Sequence, residues 1–282
     1  MCSMDAPRWS WPAGDEPAQI MGVLNLTPDS FSDGGLWLEP NRAVDRALEM
    51  VDEGADIIDV GGESSRPGAA PVSVEEELER VVPVLEALRS RSSVPISVDT
   101  TKAEVAYQCL ALGAEIINDI GGLRNASLRK VVSEAQAGVV LMHMRGVPAT
   151  MQQGDLSDED VVGSTLQWLR KQTERAEEAG ISPRAICIDP GIGFGKTVAQ
   201  NCQLIAQLPR LTALGYPLLI GVSRKSFLGA ITGAPVDARA WAGAAAQSCA
   251  LLLGAKVIRT HDVHAAREQA LVAHAIRTAQ AE

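Results

Sequence analysis

The sequence predicts an α/β fold, a closed (β/α)8 barrel, on three observations. One half-unit recurs along the chain: an amphipathic helix, a glycine, then a short apolar run. The apolar runs are rich in Ile, Val and Leu without polar alternation, as expected of strands buried on both faces. Each run ends in polar or charged residues, where a barrel carries its chemistry. The 282 residues, 46% hydrophobic and 21% charged, are read as one TIM-type barrel domain over 1–282 with a short N-terminal extension at 1–18.

The first strand is Ile20 to Leu24, which no glycine precedes. EMVDEGADIIDVGG then places a helix end at Gly54 and a second strand behind it. The next helix shows apolar spacing at Leu78, Val81, Leu85 and Leu88; Ser73-x-x-Glu76 matches a capping box at its start, and Pro83 is expected to kink it. Ile96 to Val98, after Val94-Pro95, is the third strand, and Thr101-x-x-Glu104 reads as a second capping box. The half-unit returns as CLALGAEIINDIGG around Gly113, EAQAGVVLMHM around Gly138, EEAGISPRAICIDPG around Gly180, LTALGYPLLIGVSR around Gly215 and LLLGAKVIRTHD around Gly254. Each glycine falls where a helix would end in the left-handed conformation. Six copies and the two strands without the glycine make eight. An open doubly wound sheet would be expected to carry a nucleotide fingerprint after its first strand, and none is there.

The formal net charge of -10 argues against a general nucleic-acid binder. It leaves room for an anionic substrate, because a local cluster of Arg and Lys can dominate the field in a cleft. The five cysteines, Cys2, Cys109, Cys187, Cys202 and Cys249, show no C-x-x-C spacing, so reduced thiols and a cytoplasmic protein are expected. No stretch has the apolar length of a signal peptide or a membrane span.

The strand ends carry Asn25, Glu63 to Arg66, Asp99-Thr100, Asn118-Asp119, His143, Asp189, Ser223-Arg224-Lys225, and Arg259 with His261. Any one of them could simply begin a loop; eight together point to a site on one rim. DPGIGFGK, Asp189 to Lys196, has neither the P-loop nor the dinucleotide glycine spacing and reads as a glycine-rich turn that lets the backbone approach a flat ligand. No H-x-x-x-H spacing supports a zinc hydrolase, and His264 and His274 read as surface residues. In a closed barrel the first and last strands are neighbours, so Asn25 should meet Arg259 and His261 in a corner with two potential cations, suited to phosphate oxygens. A structural ion pair for Arg259 is the competing reading. The long loops at Asn25 to Gly35, with Asp29, Phe31 and Asp33, and at Gly61 to Ser73, with Ser65, Arg66 and Pro67, look like lids. The small-residue run AGAAA, Ala242 to Ala246, could pack on the barrel or on a second subunit.

At these residues a family becomes recognisable. MGVLNLTPDSFSDGG, GGESSRPGA, SVDTTK, INDI, LMHM, DPGIGFGK, GVSRKSFLG and VIRTHDV resemble, in order, the signatures of dihydropteroate synthases, pterin-binding barrels, from about Ile20 to Val263. The resemblance implies condensation of 6-hydroxymethyl-7,8-dihydropterin diphosphate with p-aminobenzoate, with loss of pyrophosphate, by dissociative substitution in folate biosynthesis. It implies that Asp99, Asn118, Asp189 and Lys225 bind the pterin edge and that Arg259 stacks on the ring. Met142, Gly193, Phe194 and Gly221 would line the pocket. Asn25 and His261 would bind diphosphate, with Asn25 and Asp33 on Mg2+. Phe31, Ser65, Arg66, Pro67 and Ser223 would form the p-aminobenzoate side, and Asp99, Lys225, Arg66, Arg259 and His261 would carry catalysis. Ser65 stands where the family commonly has Thr, which keeps the hydroxyl and loses a methyl. Sulfonamides are the expected inhibitors, a homodimer the expected assembly, and neither membrane nor nucleic acid a partner. The rival readings are a pterin-binding methyltransferase barrel and a catalytically silent pterin-binding paralogue.

Overall fold

In the computed structural model, residues 7–12, 14–27, 40–66 and 68–279 are described. Eight parallel strands alternate with helices: β1 Gln19–Asn25, β2 Ile57–Gly61, β3 Ile96–Asp99, β4 Ile116–Asp119, β5 Gly138–Met142, β6 Ile186–Asp189, β7 Leu219–Ile220 and β8 Val257–Thr260. They hydrogen-bond in the order β6-β5-β4-β3-β2-β1-β8-β7. A parallel bridge from Ile188 to Leu218 joins the two ends and closes the ring.

The helices among the described residues are α1 Pro40–Asp52, α2 Val74–Arg91, α3 Ala103–Ala111, α4 Ala126–Glu134, α5 Val161–Glu178, α6 Val198–Ala206, α7 Leu208–Thr212, α8 Ser226–Thr232, α9 Ala240–Leu252 and α10 Val263–Ala279. Outward residues of the strands, such as Ile58, Val60, Val98, Ile117, Leu141 and Ile258, join the helices in the main core. Inward residues of the lower strands, Met21, Ile57, Ile116, Val140, Cys187, Leu219 and Val257, form a second cluster inside the barrel. Trp11 closes that cluster from below, donating from Nε1 to the Ala185 carbonyl at 2.9 Å. The segment around Trp9 and Trp11 is therefore the floor of the barrel.

Pro83 lies inside α2, which continues past it to Arg91. Other local expectations need correcting. Ser73 accepts from the Glu76 amide as a cap, but α3 starts at Ala103 behind Lys102, and Thr101 caps nothing. A complete capping box forms instead at Thr197 and Gln200, at the start of α6. Gly54, Gly113, Gly180, Gly215 and Gly254 take the left-handed conformation, whereas at the third repeat, around Gly138, Gln136 takes it with φ 50°. Gly138 is needed for a different reason: an added Cβ would lie 2.5 Å from the Trp9 ring.

Candidate active site

Side chains of a strand alternate between faces. Two residues above each member of the inner apolar cluster stands the next inward position. Those positions are Val23, Asp59, Asn118, Met142, Asp189, Gly221 and Arg259. Asp99 joins them on β3 by register with Gly61 and Asn118. The same strands that pack the floor thus present a charged layer one step higher.

Arg259 occupies the centre of that layer. Its Nε donates to Asp59 at 2.6 Å and its Nη2 to Asp99 at 2.8 Å. Asn118 donates from Nδ2 to the same Asp59 oxygen at 3.1 Å, which fixes the orientation of its amide. Asp59 is fully buried and was not anticipated from the sequence, where it lies within the run DIIDVGG. The available signal was a carboxylate at an inward position of an otherwise apolar strand. Its other oxygen, and the hydroxyl of Ser97 opposite it in register, have no hydrogen-bond partner among the described residues. Burial pushes the Asp99 carboxyl up to about 7; Arg259 pulls it back, and Asp59, Glu77 and Asp119 add to the rise.

Asp189 and Lys225 complete the layer. Asp189 accepts from the Gly191 amide at 2.7 Å, and burial raises its pKa against the pull of Lys225. Lys225 donates to the Ile192 carbonyl and lies 4.6 Å from the centre of the Phe194 ring, while burial lowers its pKa to about 8. It follows Arg224, whose φ of 59° is strained for a residue with a Cβ. Gly221 lies beneath both cations: a Cβ there would come within 3.7 Å of the Arg259 Cβ and 3.9 Å of Lys225 Nζ. Met142 and Phe194 pack with Ile120, Met144 and Met151 into an apolar wall.

The glycine-rich turn after β6 is held from beneath. Buried Lys196 donates to the carbonyls of Gly191 at 2.9 Å, Phe194 at 3.1 Å and His143 at 3.4 Å. Burial pulls its pKa down to about 7, with Asp189 opposing the fall and Lys225 and Arg145 adding to it. Gly191 has φ 67°, and an added Cβ would stand 1.9 Å from the His143 carbonyl oxygen, so only glycine fits. Gly193 is anchored by its amide to Asn201 at 2.7 Å.

At the corner where β1 meets β8, Asn25 and His261 face each other with Nδ2 and Nε2 3.5 Å apart, and His261 Nδ1 lies 3.1 Å from Ser223 Oγ. The sequence suggested two cations here. Burial, with Arg259, Arg224, Arg66 and Lys225 close by, lowers the His261 pKa to about 3, so the imidazole is neutral. The ion pair anticipated as the competing reading for Arg259 is present as well. Ser65 is half-buried and Arg66 exposed on the loop after β2. Phe31 and Asp33, with Asp29, and also Pro67, lie outside the described residues.

Alternation also removes some rim residues from the site. His143 follows inward-facing Met142 and so turns outward, packing edge-on against Trp168 at 5.1 Å. Burial lowers its pKa to about 3. Asp119 likewise turns away and accepts from the amides of Gly121 and Leu123 at 2.7 and 2.6 Å. His274, expected at the surface, is half-buried with Nδ1 lacking a partner among the described residues.

A layer of acceptors with one lysine and one arginine, under an apolar wall, can hold a flat, nitrogen-rich heterocycle by its edge. Known proteins give that class a name. The family model described as "Pterin binding enzyme" matches residues 21–261, so the fold and site are those of a pterin-binding barrel enzyme. The chain is 47% identical over 260 residues to the dihydropteroate synthase of Synechocystis sp., covering 91% of this chain and 89% of the relative. A Xanthomonas albilineans dihydropteroate synthase solved with 4-aminobenzoic acid superposes with a TM-score of 0.87 at 44% identity, over 93% of this chain and 94% of that one. A Yersinia pestis dihydropteroate synthase in a sulfonamide complex gives 0.89 at 42% identity, over 94% and 96%. The chain belongs to the dihydropteroate synthase family. Its activity is the family's transferase reaction in folate biosynthesis.

Proposed function

We propose that the charged layer at the top of the barrel binds dihydropterin diphosphate and activates it toward p-aminobenzoate. The observation that carries the reading is the Arg259 fork, shared between Asp59 and Asp99 at 2.6 and 2.8 Å and flanked by Asn118. These groups, with Asp189 and Lys225, offer the acceptors and the donor that the edge of a pterin requires. Arg259 is positioned to lie against the ring, with Met142, Phe194, Gly193 and Gly221 bounding it. When the C–O bond to diphosphate breaks, positive charge spreads into the pterin, and the carboxylate of Asp99 stabilises it. Negative charge builds on the leaving group, toward Arg66, Arg259 and the corner of Asn25, His261 and Ser223. The aryl amine then adds, and no protein nucleophile is needed.

Asn25 offers a side-chain oxygen suited to Mg2+. Asn25 turns Nδ2 to His261, and its Oδ1 faces the strand end at Gly61. Among the described residues no cluster of three or more His, Cys, Asp or Glu competes as a metal site. Mg2+ is commonly held by one or two protein oxygens together with substrate phosphates. Asn25 and Asp33 would hold it, and it would supply charge neutralisation on the departing diphosphate.

Ser65 and Arg66, with Ser223, form the arylamine side, extended by Phe31 and Pro67. Sulfonamides, which a Yersinia pestis relative binds, would compete there. A homodimer is supported by the outer face of α9 and α10. There Trp241 is 87% exposed and stands with Val236, Leu252, Val272 and Ile276 around a groove of about 490 Å³. Free Cys109, Cys187, Cys202 and Cys249 support a cytoplasmic setting.

The test is pyrophosphate release by purified protein supplied with dihydropterin diphosphate and Mg2+, with and without p-aminobenzoate. Release that depends on the amine is expected. No release would favour the silent paralogue, and methyl transfer from a reduced folate would favour the methyltransferase.

A further inference from the structure

Below the arylamine loop lies an ionic cluster that the binding layer does not use. Glu77, in the first turn of α2, is fully buried, and its carboxylate is paired to Lys102. The same ammonium is paired to Glu63, at the base of the loop after β2. The backbone of Lys102 is tied in turn to the strand ends: its amide donates to Thr100 Oγ1 at 3.2 Å, and the Thr100 amide donates to the Asn118 carbonyl at 3.2 Å. Lys102 therefore stands three residues beyond Asp99 and reaches across to the neighbouring loop.

The base of that loop is clamped from the other side as well. Arg80 of α2 donates to the Gly62 carbonyl at 2.7 Å. Gly62 lies so close to α2 that a Cβ would meet Val81 Cγ2 at 2.9 Å and the Glu77 carbonyl oxygen at 3.1 Å. The Leu26 amide, just beyond β1, donates to the Gly61 carbonyl at 2.8 Å. Past this clamp the chain continues as Ser64, Ser65 and Arg66, where, among the described residues, the Arg66 amide lies 3.4 Å from Ser64 Oγ and the Ala69 amide donates to the Arg66 carbonyl at 3.1 Å. Whatever fixes Glu63 thus fixes the origin from which Ser65 and Arg66 project.

A buried carboxylate with one oxygen unpartnered is costly to keep. A purely structural anchor could be apolar, as Val81 and Leu85 are on the same helix. Burial works against the Lys102 charge, yet its hydrogen bonds to Glu63 and Glu77 outweigh it and leave the pKa raised. The ion triad gives what apolar packing does not: a directional tie between the strand that bears Asp99 and the loop that bears Arg66.

We propose that Lys102, locked by Glu77 and gripping Glu63, is a positioning residue for the second substrate, setting the reach of the Ser65–Arg66 segment over the pterin layer without touching either substrate. The proposal rests on the reading of Ser65 and Arg66 as the arylamine side. Steady-state kinetics with each substrate varied in turn, together with thermal unfolding, test it in Lys102→Met, Lys102→Arg, Glu63→Gln and Arg66→Ala. Lys102→Met and Glu63→Gln should raise the KM for p-aminobenzoate on the order of tenfold, short of the hundredfold that about 1 Å of misplacement costs. The KM for dihydropterin diphosphate should stay within about twofold, because β3 and β4 with Asp99 and Asn118 are untouched, and any loss of Arg66 from the departing diphosphate should appear in kcat. Lys102→Arg should restore most of the loss. Glu63→Gln carries the test if Lys102→Met does not fold, since it leaves the Glu77–Lys102 pair in place. Equal rises in both KM values, or a lowered Tm with unchanged kinetics, would reduce the triad to scaffolding and overturn the proposal. A raised p-aminobenzoate KM in Arg66→Ala with no change in either clamp variant overturns the clamp alone. An unchanged Arg66→Ala overturns the assignment of the loop, and the proposal with it.

Discussion

The two ends of the barrel are built from the same strands, two residues apart, by opposite rules. The lower layer, Met21, Ile57, Ile116, Val140, Cys187, Leu219 and Val257, is apolar and sealed by Trp11, which is 4% exposed. The upper layer, Asp59, Asp99, Asn118, Asp189 and Arg259, brings charges together and leaves Asp59 and Ser97 each with a buried oxygen unpaired among the described residues. The lower end stabilises and the upper end destabilises, because desolvated charge is worth something only when a substrate's own charge or dipole arrives. Stability and activity should therefore be separable along the barrel axis.

The sharpest way to break this comparison is to open the floor. Trp11→Ala removes a large buried side chain and is expected to cost about 3 kcal/mol or more of stability. Differential scanning calorimetry should show a Tm lowered by several degrees, while kcat at 25 °C changes less than about twofold. A kcat that falls with the Tm would mean the two ends are coupled.

At the upper end the largest expected effect is at the diphosphate corner. Asn25→Ala should lower turnover on the order of a hundredfold, the scale of one preorganised electrostatic contact, with little change in Tm. The wild type should lose activity in excess EDTA and regain it with Mg2+. Full turnover in EDTA would remove Asn25 from any metal role.

A smaller effect separates binding from activation. Asp99→Asn should lower kcat about tenfold and raise the pterin KM by less, because the contact strengthens as positive charge develops. An effect confined to KM would leave Asp99 a binding group.

The smallest effect concerns protonation. With the Asp99 carboxyl raised to about 7, its anion is lost as pH falls through that value, so kcat/KM should decline on the acid side of about pH 7. Asp59→Asn removes a neighbouring negative charge and should move that acid limb to lower pH, by about one unit or less. A limb that stays in place would mean that another group sets it.

Much of this was legible in the sequence because it is local. Strands without alternation, glycines at helix ends and polar strand ends all sit within a few residues of each other, and they gave eight strands and the ring of Asp99, Asn118, Asp189, Lys225 and Arg259. Which member of a polar pair faces inward was also encoded, in the parity of its position, and Asn118 and Asp119 differ by that alone. The hidden features depend on contacts across the fold. Asp59 meets Arg259 across 200 positions of chain, and Trp11 meets Ala185 across 174. Lys102 carries no signal in the sequence, and its role shows only when the loop it grips comes beside it. His261 reads as a cation until its burial among arginines is known.

Parity and chain order together set where the charges of the barrel's centre fall along the chain. The ladder from β1 to β6 needs only residues before Pro190, and it gathers Asp59, Asp99 and Asp189. Lys225 and Arg259, which oppose those charges, belong to the last quarter of the chain, as do β7 and β8, and the ring closes through the Ile188–Leu218 bridge. In chain order the acids thus come first and their counterions come with the closing strands. The strands that complete the ring are the ones that carry the cations of its centre.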